Sequence, residues 1–269
     1  MERIDFYVIL CIYYYQMKFP IKMIVSDLDG TLLSSDKTIS EKTKTVLNQC
    51  RETGIKVTYA TGRGGSANVV APARFFDGRI SMNGAIAMAG EVIVYNRLIP
   101  YQTARPILVA CDKRGLKTVS ELSGMHYSNF AVTEEWADIS HYTIVDFSKH
   151  DTDAEKLYML VNNQEDVTFI EQLLPRDLYM SVSRDGMAMI MHRDATKSKA
   201  VAELARIWDI GQSEIAAFGD DLNDIDMLSS AGIGVAMRNA LPEVKAAADC
   251  ECLSNDEDGV AKWIEDNVL

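Results

Sequence analysis

Asp27 and Asp29 close an apolar run, Met23 to Val25, and stand one residue apart with Gly30 and Thr31 behind them. A run of that kind reads as a short buried strand. Side chains on a strand alternate faces, so both carboxylates are expected on one side of its end. Gly30 lets the backbone turn away at once. Two acids side by side can exchange protons or hold a cation, and the carboxyl edge of an open α/β sheet is where ligands bind. Asp-x-Asp alone is more often a solvated strand end. The pattern gains weight from the other groups that reach the same edge.

A second acidic cluster, Asp220, Asp221, Asn223 and Asp224, follows Gly219 and the apolar run Ile215 to Phe218. On a helical first turn Asp220 and Asp224, four residues apart, would share a face. Thr61, Gly62 and Arg63 end a third run, Ile55 to Ala60, and Asn83-Gly84 ends a fourth, Arg79 to Met82. Lys197 and Lys199 open a segment of helical periodicity, and each alone would pass for a solvated lysine at a helix start. Electrostatics asks for a cation among these acids. Two carboxylates about 4 Å apart at an effective dielectric near 20 repel by roughly 4 kcal/mol. With oxygen donors only, and no His or Cys at these positions, Mg²⁺ suits better than Zn²⁺.

These side chains need elements to bring them together. Ser40 reads as an N-cap, residues 41–53 as a helix and Gly54 as its C-terminal stop. Strand, helix and strand of this length form a parallel crossover, which lands Thr61 at the edge that carries Asp27. Residues 66–76 read as a helix that Pro72 interrupts. Near residue 86 the pattern changes. Segments 86–88 and 92–95 form a hairpin, 102–114 a helix and 116–122 a strand. Residues 123–152 resist assignment. A strand over 156–161, a helix over 165–174 and a hairpin of 178–183 with 187–192 around Arg184-Asp185-Gly186 follow. From Thr196 strands and helices alternate again: helices over 197–208, 225–230, 242–248 and 259–267, strands over 215–218 and 233–236. The middle reads as an α+β insertion within an α/β domain.

The composition of the 269-residue chain is that of a soluble globular protein, 48% hydrophobic and 25% charged. A net charge of −12 argues against a nucleic-acid partner. The cysteines, Cys11, Cys50, Cys111, Cys250 and Cys252, are odd in number and match no zinc spacing, so reduced thiols in a cytoplasmic protein are expected. Phe6 to Tyr15, FYVILCIYYY, is too short to span a bilayer and lacks the cleavage site of a signal peptide. Residues 1–19 are read as an N-terminal extension, either upstream of a start at Met17 or Met23 or an extra packing segment.

In order, Asp27-Leu28-Asp29-Gly30-Thr31, Thr61-Gly62-Arg63, Lys197 and Gly219-Asp220-x-x-Asn223-Asp224 resemble the four motifs of the haloacid dehalogenase-like (HAD) phosphohydrolases. Asn83-Gly84 and the closing Asn255-Asp256-Glu257-Asp258-Gly259-Val260 resemble the Cof-type, sugar-phosphatase-like branch. The resemblance runs from about Lys22 to the end of the chain. It implies a Rossmann-like, doubly wound parallel sheet in residues 20–85 and 191–269, with an α+β cap over 86–190 that selects the substrate. It also implies Mg²⁺-dependent hydrolysis of a small phosphate ester. Asp27 would be the nucleophile, Asp29 the acid and base, and Thr61 and Lys197 would hold the phosphoryl group. Gly30, Gly62, Arg63, Asn83 and Asn223 would line the phosphate site. The ion would take the Asp27 carboxylate, the Asp29 main-chain carbonyl and the Asp220 carboxylate, with Asp224 behind them. Counting back from Ile210, Lys197 rather than Lys199 falls where the family's lysine sits.

A phosphotransferase or phosphomutase would use the same motifs while keeping water from the intermediate. A non-catalytic binding protein would be expected to lack a motif residue, and none is missing. A receiver-like signalling domain would share the acidic pocket but not the long insertion or Asp29. A P-type pump would need membrane spans, and the chain has no run of eighteen apolar residues. His126, His141 and His192 have no partner at metal spacing, and His150 sits in a charged turn. Met180, Met187, Met189 and Met191 alternate as core residues do.

Overall fold

The computed structural model describes residues 20–137, 139–183 and 186–269. The reading of residues 1–19 lies outside the described residues, as do Arg184 and Asp185 of the proposed hairpin turn. The chain divides into two compact units, one taking it through Tyr95 and resuming at Thr196, the other spanning Asn96–Ala195.

In the first unit β1 is Met23–Ser26, followed by α1 (Glu41–Glu52), β2 (Lys56–Ala60), a short α2 (Ala67–Val70), β3 (Gly78–Ser81), β4 (Ile86–Ala89) and β5 (Val92–Asn96). Helix α1 starts where Ser40 accepts the Thr43 N–H and stops before Gly54, at φ +90°. The helix expected over 66–76 ends at Val70. Pro72 cannot extend it, and only a 3₁₀ turn, Ala73–Phe75, follows.

The second unit carries α3 (Tyr101–Lys113), β6 (Thr118–Leu122), β7 (Met125–Ser128), β8 (Tyr142–Ile144), β9 (Lys156–Leu160), α4 (Gln164–Leu173), β10 (Leu178–Val182) and β11 (Met187–His192). Its sheet has the order β10-β11-β9-β6-β7-β8, antiparallel except where β7 meets β8. Leu157, Met159, Ala188 and Ile190 pack with Ile107, Leu108 and Ile170 of the helices in one apolar core. The stretch 123–152 holds β7 and β8. Too few of their residues are buried to show strand alternation in the sequence.

The chain then returns to the first unit with α5 (Lys197–Ile207), β12 (Ile215–Gly219), α6 (Ile225–Ser230), β13 (Ile233–Ala236), α7 (Pro242–Ala247), β14 (Cys250–Glu251) and α8 (Gly259–Asn267). The sheet of this unit runs β14-β13-β12-β1-β2-β3-β4-β5. Neighbours from β14 to β3 pair parallel, and β3 with β4 antiparallel. Helices α1 and α8 pack together, as do α5 with α6 and α6 with α7. This is the Rossmann-like, doubly wound sheet that the family resemblance implies. From β1 the strands step one way to β2 and β3, while from β12 they step the other way to β13 and β14. The order therefore reverses between β1 and β12, and such a reversal opens a crevice at the carboxyl ends. The β4–β5 hairpin joins this sheet, so the units divide after Tyr95 and Ala195, later than the expected boundaries at 86 and 190.

Candidate active site

Strand β1 is buried along its whole length, and Asp27 directly follows it, its N–H donating to Phe218 O of β12 at 2.9 Å. The strand stops at Ser26, so the alternation expected to align Asp27 with Asp29 does not reach Asp29. The two carboxylates have different surroundings. Asp27 is 6% exposed and joins the buried cluster, whereas Asp29 is half-buried and pairs outward. Arg63 grips Asp29 with two bonds, from Nε to Oδ2 and from Nη2 to Oδ1, the latter at 2.7 Å. Lys37 Nζ adds a third at 2.8 Å to Oδ1. Hydrogen bonding from Arg63, assisted by Lys37, holds the Asp29 carboxyl down to about 2.

Lys197 is the first residue of α5, and Thr196 caps that helix. Its side chain is fully buried, with Nζ 2.6 Å from Asp27 Oδ1 and 2.6 Å from Asp224 Oδ1. Lys199 is exposed, so Lys197 is the lysine at the cluster. Gly84, at φ +100°, permits the approach, because a Cβ there would lie 2.1 Å from Thr196 O. Asp224 is not on a helical face shared with Asp220. It ends a 3₁₀ turn, Leu222–Asp224, and its Oδ2 accepts the N–H groups of Asp220 at 3.0 Å and Asp221 at 3.1 Å. Asp224 thus anchors the loop with one oxygen and the lysine with the other. Gly219 gives it room, since a Cβ there would fall 2.4 Å from Asp224 Cβ.

Asp220 is fixed by Thr31, whose hydroxyl donates to Oδ1 at 2.7 Å. Its Oδ2 lies against Gly30, where a Cβ would stand 2.2 Å away. Candidate ligand oxygens of Asp27, Asp220 and Asp224 lie within 4.8 Å of one another. Burial pushes the Asp27 carboxyl up, with Asp224 and Asp220 adding to the rise and Lys197 opposing it. Burial likewise raises Asp220, to about 6. Burial works against the Lys197 ammonium, but Asp27 and Asp224 outweigh it and hold its pKa above the ordinary lysine value. Three carboxylates therefore face one ammonium. Asp27 Oδ2 and Asp220 Oδ2 accept no hydrogen bond from the described residues. An all-oxygen set with two such acceptors fits a hard divalent cation.

Thr61, 1% exposed, follows β2 and accepts the Arg63 N–H on Oγ1 at 3.1 Å. Asn83 and Asn223 meet through a 2.9 Å bond from Asn223 Nδ2 to Asn83 Oδ1. The closing motif braces the loop after Asp29. Asp256 accepts the Ser35 N–H and hydroxyl, each at 2.7 Å, and Asn255 Nδ2 donates to Leu33 O at 2.9 Å. Sequence reasoning missed the roles of Thr31, Lys37 and Asn239. Asn239, whose Nδ2 donates to Gly30 O at 2.7 Å, lies just beyond β13 and was open to the same strand-end logic. Lys37 carries no sequence signal, since its reach depends on a left-handed backbone at φ 64°.

The class is that of a doubly wound α/β enzyme fold with three carboxylates and a buried lysine gathered at its switch point. The sequence profile of the haloacid dehalogenase-like hydrolases matches residues 24–264, and the chain belongs to that family. It is 29% identical to phosphatase YwpJ of Bacillus subtilis, with 91% of this chain and 99% of that protein aligned. It is 28% identical to the 5-amino-6-(5-phospho-D-ribitylamino)uracil phosphatase YitU of the same organism, over 91% and 96% of the two chains. Among solved structures, the HAD subclass IIB sugar phosphatase BT4131 superposes with a TM-score of 0.73 at 28% identity, covering 91% of this chain and 98% of the other. No described helix is long and apolar enough to cross a membrane.

Proposed function

We propose that this chain is a Mg²⁺-dependent phosphatase of small phosphorylated metabolites, sugar phosphates foremost, working through an aspartyl-phosphate. The observation that carries the reading is the buried Lys197 ammonium bonded to both Asp27 and Asp224 beside Asp220. On this reading, Asp27 is the nucleophile, Lys197 the counter-charge for the phosphate, and Asp220 part of the cation site beside them. The relatives are phosphatases, and a sugar phosphatase is among the structural neighbours.

The Asp27 carboxylate attacks phosphorus, and the P–O bond to the leaving alcohol breaks. Lys197 and Thr61 hold the oxygens of the transferring group, the main protein contribution to phosphoryl transfer. The carboxylates of Asp27 and Asp220 and the Asp29 main-chain carbonyl would hold Mg²⁺, which when bound would supply further charge neutralisation. Asp224 supports the site by fixing the Asp220 loop. Asp29 protonates the leaving alcohol and then takes a proton from the water that cleaves the intermediate. Its three bonds to Arg63 and Lys37 keep it a carboxylate in this conformation. Acting as an acid therefore requires release from Arg63, and an incoming phosphate is the natural competitor for that guanidinium. Arg63, Gly30, Gly62, Asn83 and Asn223 form the rest of the phosphate surroundings. The second unit, as a cap, sets substrate preference.

Phosphate release from a panel of sugar phosphates and other phosphorylated metabolites, with Mg²⁺ and with a chelator, tests the reading. Release that the chelator abolishes is expected. Transfer to an added alcohol or sugar without free phosphate would instead favour the phosphotransferase, and no reaction with any ester would sink both.

A further inference from the structure

Three consecutive residues, Met82, Asn83 and Gly84, hold positive φ values of 50°, 52° and 100°. Glycine tolerates this backbone, asparagine tolerates it better than most side chains, and methionine does not. Such strain persists only where the surroundings over-determine it, and it concentrates at functional sites. Here Met82 is buried and its N–H donates to Arg63 O at 3.0 Å, while the Asn83 N–H donates to Thr61 O at 3.0 Å.

The twisted backbone delivers the Asn83 side chain to Asn223, with 2.9 Å between Oδ1 and Nδ2. Gly62 leaves room for it, since a Cβ there would stand 3.0 Å from Asn83 Oδ1. The contact spans an unusual distance. Asn83 follows β3 and Asn223 follows β12, with β1 and β2 between those strands. At about 4.8 Å per strand their axes are roughly 14 Å apart. The two amides therefore meet across the strand ends that carry Asp27 and Thr61. Asn83 Nδ2 and Asn223 Oδ1 have no other partner among the described residues.

We infer that Asn83 is a positioning residue: its strained backbone and its bond to Asn223 lock the loop after β3 to the loop after β12, walling the phosphoryl pocket before substrate arrives. The inference rests on the phosphatase reading above and assigns a device within that site.

Asn83→Gly separates strain from function, because glycine relaxes the backbone while deleting the amide. Its melting temperature should equal or exceed that of the wild type. Its kcat/KM on the best ester of the panel should fall at least tenfold. Asn223→Ala should fall similarly, and the double variant should be no worse than the weaker single within twofold, as for two residues acting as one unit. Orthovanadate binding to the Mg²⁺-loaded protein, measured by calorimetry, gives a readout without turnover and should weaken tenfold in Asn83→Gly. The inference is overturned by kcat/KM within twofold of wild type in Asn83→Gly, by a double variant whose loss is the product of the singles, or by a lowered melting temperature. An inactive wild type whose vanadate binding still depends on Asn83 would sink the phosphatase reading and keep the bridge. An active wild type indifferent to Asn83→Gly would sink the bridge alone.

Discussion

Lys197 is the residue on which the site's charge balance turns. It is 1% exposed and bonded at 2.6 Å to each of two buried carboxylates. Removing one partner of a buried ion network leaves uncompensated charge and typically costs about 3–5 kcal/mol. Lys197→Met should therefore lower unfolding free energy in urea by about that much and abolish turnover; unchanged stability would mean that the ammonium does not neutralise the pair. Lys199→Met, at an exposed position, should change neither much. Residue identity at this scale was largely legible. Asp27, Asp220 and Lys197 could be found because each directly follows an apolar strand or opens a helix, where position along the chain fixes position in space. The placement of Asp29 was not legible, because β1 ends at Ser26 and the side chain then follows whichever cations the loops present. Arg63 and Lys37 reach it through backbone paths that local spacing does not encode.

At the scale of elements, two glycines separate conformational strain from steric function. Gly84 and Gly54 both sit at positive φ, +100° and +90°, but a Cβ at Gly84 would meet Thr196 O at 2.1 Å, whereas one at Gly54 would meet nothing within 4 Å. An L-residue in the left-handed region costs roughly 1–2 kcal/mol. Gly54→Ala should lose about that much stability and keep wild-type kcat. Gly84→Ala should lose more and also lose activity, because it displaces the start of α5 and with it Lys197. Equal activity in the two variants, compared by kcat and urea melts, would contradict the coupling of that turn to the lysine. Most elements were readable from capping and periodicity, as Ser40 and Gly54 show for α1. The exceptions have physical causes. Pro72 cut a helix short, β14 is only two residues long, and β7 and β8 expose too much of themselves to alternate.

At the scale of the whole molecule, the α/β core with an inserted α+β unit was legible from the change of pattern along the chain. The hairpin β4–β5 was not assigned to the core, since a hairpin looks alike wherever it docks. The second unit carries an acid that makes its stability depend on pH. Glu155 is 3% exposed, and its Oε2 has no hydrogen-bond partner among the described residues. Burial, with Glu121 nearby, pushes its carboxyl from 4.5 up to about 7. The native state thus holds the proton more tightly than the unfolded chain. Its contribution is fully present below pH 4.5 and is lost as pH rises to about 7, a fall on the order of 3 kcal/mol. Glu155→Gln should flatten that part of the profile and stabilise the protein at pH 8. Urea midpoints at pH 5 and pH 8 test this, and identical pH slopes in the two proteins would refute it.

The proposed nucleophile is Asp27. The most direct measurement of that role is Mg²⁺-dependent phosphate release by wild type and Asp27→Asn side by side, with melting curves to show that both are folded. Release by the wild type and none above background by the variant is the expected result. Undiminished release by a clean, folded Asp27→Asn protein would contradict the account at its root.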